Sequence, residues 1–265
     1  MTDQHNTIDQ PLTAHIAELR SRLLRVVSVF AGCFAISVYY AEQLYAFLVA
    51  PLTAAFLEMG LVPKMIFTAL PEMFLTHIKT AFFTSLMVCF PLFLNQFWGF
   101  VAPALYASEK KIFLPFFIMT PILFLCGACF AYYLVFPVAW SFFLEFQHVN
   151  ATTDIPSIQL EAKVNEYLSL TMTLLFAFGC AFLLPVLCTF MAKVGIIDSL
   201  WLREKRPYAV VVTFILAAIL TPPDVISQIL LAIPLILLYE VSIIITARIS
   251  SPVKSPLRDY KKTHA

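Results

Sequence analysis

The chain is 265 residues long, 61% hydrophobic and 12% charged, with a formal net charge of +1. Soluble domains carry about 25% charged residues, so this composition excludes an ordinary soluble domain and places the chain in a bilayer. The near-neutral total says nothing about partners; where the charges sit says more.

Met1 to Gln10 is polar and lacks the basic stretch of a signal peptide, and the apolar run that follows has no small-residue cleavage site, so it reads as a retained helix. A spanning helix needs about 20 apolar residues. Six segments qualify in chain order: Leu23 to Tyr40, Phe74 to Phe97, Ile112 to Trp140, Tyr167 to Val194, a short Tyr208 to Leu220, and Val225 to Ala247. Leu44 to Met73 is apolar but broken by Pro51, Pro63 and Pro71, and reads as short interfacial helices or a cap on the outer face. Glu145 to Glu166 reads as an acidic outer loop.

Basic residues cluster at Arg20, Arg22 and Arg25, at Lys110 and Lys111, at Arg203, Lys205 and Arg206, and after Arg248. Lysine and arginine concentrate on the cytoplasmic side, which puts both termini inside and requires an even number of spans. The expected fold is a single all-α membrane domain over 1–265. It has six transmembrane helices in a concave arrangement, several kinked by proline, between a cytoplasmic segment 1–22 and a disordered tail 248–265. Pro91, Pro115, Pro121, Pro137, Pro185 and Pro234 fall inside spans and each removes a backbone donor. With six glycines and no G-x-x-x-G, close packing through glycine is not expected. No internal repeat appears, which argues against an inverted-repeat transporter.

Tyr208 to Leu220 at about 1.5 Å per residue reaches about 20 Å, short of a hydrocarbon core of about 30 Å. Thr221-Pro222-Pro223-Asp224 then turns the chain. The tip of this hairpin should lie below the outer surface, with local thinning of the bilayer.

Chemistry-bearing motifs are sparse. No H-E-x-x-H, G-x-S-x-G or phosphate-binding loop occurs, and the five histidines are scattered. Neither catalysis, metal nor cofactor is expected. Cys126 and Cys129 form a C-x-x-C without a neighbouring histidine or carboxylate, and read as packed small residues. Polar residues within spans are functional by default; here they are Lys79, Gln96, Thr221, Asp224, Gln228 and Glu240. Lys79 can snorkel from the outer end of its span. Glu240 is either a neutral interhelical contact or a functional carboxylate. On residue type alone, Glu18 is a helix-surface charge near Arg22, and Glu109 a loop charge beside Lys110.

Five motifs make the pattern specific: His15-Ile16-Ala17-Glu18-Leu19-Arg20-Ser21-Arg22-Leu23; Ala50-Pro51-Leu52; Gln96-Phe97-Trp98-Gly99-Phe100-Val101-Ala102-Pro103-Ala104-Leu105-Tyr106 with Glu109; Lys205-Arg206-Pro207-Tyr208; and Leu220-Thr221-Pro222-Pro223-Asp224-Val225-Ile226-Ser227-Gln228. In this order they resemble the TatC family, the core component of the twin-arginine, or Sec-independent, protein translocase. The resemblance implies a receptor of the bacterial inner membrane rather than an enzyme. Its expected ligands are twin-arginine signal peptides of folded cargo, docked at the cytoplasmic face by Glu18 and Glu109, with Arg20, Phe100 and Pro103 beside them. Two guanidinium forks suit two carboxylates, and nearby Arg20 and Lys110 favour the ionised form.

The resemblance further implies single-span TatA- and TatB-like partners docking around Thr221, Asp224 and Gln228, and structural roles for Pro51 and Pro185. It also implies a homo-oligomer within the translocase, contact with lipid but not nucleic acid, and transport driven by the protonmotive force. Many members carry a glutamate two residues before the fourth-span proline; here that residue is Leu183. A small-solute secondary transporter or channel is the alternative, and it predicts paired charges along a midplane path, which this sequence lacks.

Overall fold

The computed structural model describes residues 12–105, 110–145, 161–220 and 225–249, with side chains at 20–96, 116–145, 161–220, 225 and 228–248. Helix α1 (Leu12–Tyr39) is followed by α2 (Ala41–Glu58) and a two-residue strand β1 (Met65–Ile66). Helix α3 (Glu72–Leu105) leads to α4 (Lys110–Phe130), a π-helical turn (Ala131–Val135) and α5 (Phe136–Glu145). After strand β2 (Ala162–Lys163) come α6 (Val164–Ala181), α7 (Leu184–Lys193), α8 (Ser199–Glu204), α9 (Arg206–Leu220) and α10 (Val225–Ile249). Five segments are long and apolar enough to cross a membrane: Arg20–Tyr39, Glu72–Gln96, Phe116–Glu145, Val164–Lys193 and Gln228–Arg248. Helix α9 is the short sixth; its 15 residues reach about 22 Å.

Helices α1 and α3 run antiparallel. Arg22 meets Gln96 at one end, and Ser85 Oγ donates to Ser37 Oγ at 3.0 Å further along. The opposite face of α1 leaves Leu23, Leu24 and Ile36 more than half exposed, as a lipid-facing surface requires. The buried core lies instead where α2, α5 and α6 meet, around Phe136, Trp140, Leu168 and Phe178.

Proline acts differently from site to site. Helix α3 continues through Pro91 and Pro103, α4 through Pro115 and Pro121, and α10 through Pro234. The third span accommodates Pro137 by widening into the π turn just before it. The fourth span, Val164–Lys193, is interrupted by a turn at 182–183. Leu183 N–H turns back to the Cys180 carbonyl, and Pro185 occupies the first turn of α7, where no N–H is needed.

One expectation about packing changes. Close packing does run through glycine: Gly127 of α4 faces the Phe178 carbonyl and the Phe182 side chain of α6, and Gly179 of α6 faces the Phe124 ring. No G-x-x-x-G is needed, because each helix contributes one glycine. The fold also carries a small parallel ladder, pairing Met65 with Ala162 and Ile66 with Lys163. It ties the α2–α3 and α5–α6 connections together, and two-residue strands leave no periodic signal in sequence.

Candidate functional site

The end of the bundle carrying the first arginines is built from α1 and α3. Arg22 Nη1 lies 3.4 Å from Gln96 Oε1 and 3.5 Å from the Gln96 carbonyl. This contact fixes the register of the two motifs: position 18 is one helical turn before Arg22, and position 100 is one turn beyond Gln96. Arg20 is exposed on α1. Glu18, Phe100 and Pro103 lie on described helical backbone at this same end. Glu109 is outside the described residues, between the last residue of α3 and the first of α4. Arg22, which carries the contact, was read from sequence as a topology signal and as a neighbour of Glu18, and its contact with Gln96 was not foreseen.

The second region is the α9–α10 hairpin. Gln228 Nε2 donates to the Phe214 carbonyl at 3.0 Å, so the amide clasps the hairpin from within. Thr221 and Asp224 lie outside the described residues. At the other end of the hairpin, Arg206 Nη2 contacts Glu240 Oε2 at 2.6 Å, with both side chains half-buried. Glu240 thus joins α10 to α9 through its contact with Arg206. Tyr239 adds a hydroxyl bond to the Leu202 carbonyl at 2.8 Å, and Lys205 sits over the Tyr208 ring. The basic turn opening the fifth span and the acid in the sixth could have been paired from sequence by opposite charge alone.

A third feature is an apolar recess of about 680 Å³ between α3, α6, α9 and α10, lined by residues such as Phe83, Leu86, Phe176, Leu216 and Leu231. Lys79 lies at its edge, where its ammonium donates to Asn165 Oδ1 at 3.3 Å and Ser169 Oγ at 2.5 Å. The lysine reaches sideways to α6. Leu183, at the fourth-span break, is buried.

Pro51 and Pro185 are both buried. Pro51 sits inside α2, where its missing N–H leaves the Phe47 carbonyl without a helical partner. Tyr132 Oη supplies that bond at 2.7 Å, and Tyr167 Oη reaches the adjacent Leu48 carbonyl at 2.9 Å. Among the described residues no group of histidine, cysteine and carboxylate side chains could hold a metal ion.

The chain is similar along most of its length to proteins of one kind. A family model described as Sec-independent protein translocase protein (TatC) matches residues 14–234. A Rickettsia prowazekii protein named Sec-independent protein translocase protein TatC is 44% identical over 238 residues, covering 90% of this chain and 93% of that protein. The Escherichia coli K12 protein of the same name is 39% identical over 234 residues, covering 88% and 87%. A crystal structure of the twin-arginine translocase receptor TatC superposes with a TM-score of 0.73 at 34% identity, covering 88% of this chain and 97% of that one.

Proposed function

The chain belongs to the TatC family, and on that premise we propose that the α1–α3 end receives twin-arginine signal peptides through Glu18 and Glu109. The protein is a multi-pass membrane component of the twin-arginine protein translocase, in a family of translocase receptors rather than of enzymes. The observation supporting the docking assignment is the Arg22–Gln96 contact, which holds the Glu18 motif and the Phe100–Pro103 motif at one end of the bundle.

In this reading both termini and the docking face are cytoplasmic, and the membrane is the bacterial inner membrane. Each signal arginine offers a planar fork to one carboxylate, a geometry that an ammonium cannot match. Arg20 borders the site and keeps the carboxylates ionised before cargo arrives, while Phe100 and Pro103 give the signal an apolar and rigid contact. The apolar segment of the signal then runs along the concave helix face.

Single-span TatA- and TatB-like partners dock around Thr221, Asp224 and Gln228, where α9 is too short to fill the bilayer. Several copies of the chain assemble in the active translocase, which draws on the protonmotive force. The decisive experiment is site-specific photocrosslinking from position 109 to a twin-arginine signal peptide in membranes. An adduct that appears with an Arg-Arg signal and disappears with Lys-Lys supports the reading. Equal adducts from both, or none from either, refute it.

A further inference from the structure

Lys79 belongs to two recesses at once. Toward the membrane interior it borders the apolar recess of about 680 Å³. At the end of the bundle away from Arg22 it borders a polar recess of about 400 Å³, together with Thr68, Glu72, Thr76, Lys163 and Glu166. Among the described residues, the charges of this polar recess are not all paired with one another. Lys163 pairs with Glu166 at 3.3 Å. Lys79 has two neutral acceptors, Asn165 and Ser169, and no carboxylate within ion-pair distance among the described residues. Glu72 directs Oε2 at the backbone N–H groups of Thr68 and Ala69, at 2.7 and 3.1 Å, and keeps its negative charge.

An exposed ammonium at the edge of a hydrocarbon recess can take a negative partner. Two neutral oxygens solvate it without neutralising it. Glu72 and Lys79 stand two turns apart on one face of α3, about 10 Å along its axis. That spacing leaves room for a phosphate against the ammonium and a primary amine against the carboxylate. Directly below, the apolar recess follows α6 from Ser169 to Cys180, about 16 Å of helix, open to an acyl chain.

We propose that these joined recesses hold one phospholipid with a phosphate and a primary amine in its headgroup, of the phosphatidylethanolamine type. The phosphate sits on Lys79, the amine on Glu72, and an acyl chain fills the space between α3, α6 and the α9–α10 hairpin. A choline headgroup has no N–H to offer Glu72, and a glycerol headgroup has no positive charge for it. The bound lipid supplies an apolar wall beside the short α9 and props the hairpin.

The test is native mass spectrometry of the full chain released from detergent with an equimolar mixture of phosphatidylethanolamine, phosphatidylcholine and phosphatidylglycerol. Wild type should retain the ethanolamine lipid about tenfold over the other two, a difference of about 1.4 kcal/mol. Lys79→Gln should lose retention of all three, Lys79→Arg should restore it, and Glu72→Gln should equalise ethanolamine and choline lipids. Added inorganic phosphate should displace nothing, because the acyl chain contributes to holding the lipid. Equal retention of the three headgroups by wild type overturns the proposal. So does retention indifferent to residue 79, or a recess that takes up only an apolar peptide segment. No signal peptide enters the main comparison, so its outcome is independent of the receptor assignment.

Discussion

Tyr132 donates its hydroxyl to the Phe47 carbonyl across 2.7 Å while the rings of the same two residues stack at 4.5 Å between centroids. The carbonyl is available because Pro51, four residues on, has no N–H to return to it. A hydrogen bond lost locally inside α2 is thus replaced from 85 residues away. Tyr132→Phe keeps the stacking and removes the bond. It should cost about 0.5–1.5 kcal/mol, read as a shift in denaturant midpoint in detergent. In a Pro51→Ala background the restored N–H should take over, and the Tyr132→Phe penalty should shrink toward zero. An unchanged penalty in that background would detach the tyrosine from the proline.

The glycines at the α4–α6 crossing allow a second test. A Cβ at residue 127 meets the backbone carbonyl of Phe178, which cannot rotate away. Gly127→Ala should therefore force the helices apart and cost about 1–3 kcal/mol. At Gly179 the obstacle is the Phe124 ring at 2.6 Å, itself fully buried, so Gly179→Ala should destabilise as well. Gly32 has nothing within 4 Å, and Gly32→Ala should be neutral or slightly stabilising through helix propensity. Thermal melts of the three variants in one detergent rank them.

The spans were legible because hydrocarbon length leaves a direct trace: the six runs read as spans fall mostly on helix, and the shortness of Tyr208 to Leu220 persists in the 15-residue α9. The end proposed for signal docking was legible only as motifs. Composition gave no reason to join residue 22 to residue 96, since helix pairing depends on side chains that read alike on every lipid-soluble face. The proline breaks were harder still. Pro91 and Pro185 look the same in sequence, yet α3 passes through one while α6 ends just before the other and α7 begins there.

Gln228 has a partner within the chain, and this sharpens what its loss should do. Gln228→Leu removes the bond to the Phe214 carbonyl along with any bond offered to a partner helix. Interhelical bonds in membranes average about 0.6 kcal/mol, so the hairpin should loosen slightly rather than unfold. Crosslinking of a TatA- or TatB-like helix to α9 and α10 should fall partially, with signal-peptide binding unchanged. Full partner crosslinking in Gln228→Leu would move the docking site elsewhere.

Topology can be read by cysteine labelling at Asp154 and Ser108, two positions outside the described residues. In a background lacking the six native cysteines, a membrane-impermeant maleimide added from outside should modify a cysteine at 154 and spare one at 108. Modification at 108 would reverse the orientation that the basic flanks imply.

The receptor assignment makes the most demanding prediction. If Glu18 and Glu109 each take one guanidinium, charge-assisted bonds contribute about 1.5–3 kcal/mol apiece when partly desolvated and less when fully exposed. Loss of either carboxylate should then weaken signal-peptide binding about tenfold or more, at about 1.4 kcal/mol per decade. Glu109→Gln preserves size and removes charge. Glu109→Lys adds repulsion and should be the more damaging change. An Arg-Arg to Lys-Lys change in the peptide should mimic carboxylate loss, because an ammonium lacks the planar fork. Salt should weaken wild-type binding, since a site open to water is screened, and should affect the double alanine variant less. The measurement is peptide affinity for purified wild type, Glu18→Ala, Glu109→Ala and the double variant, each with both peptides at two salt concentrations. A double variant that binds Arg-Arg and Lys-Lys peptides as wild type does would reduce both residues to solvated charges at the membrane surface.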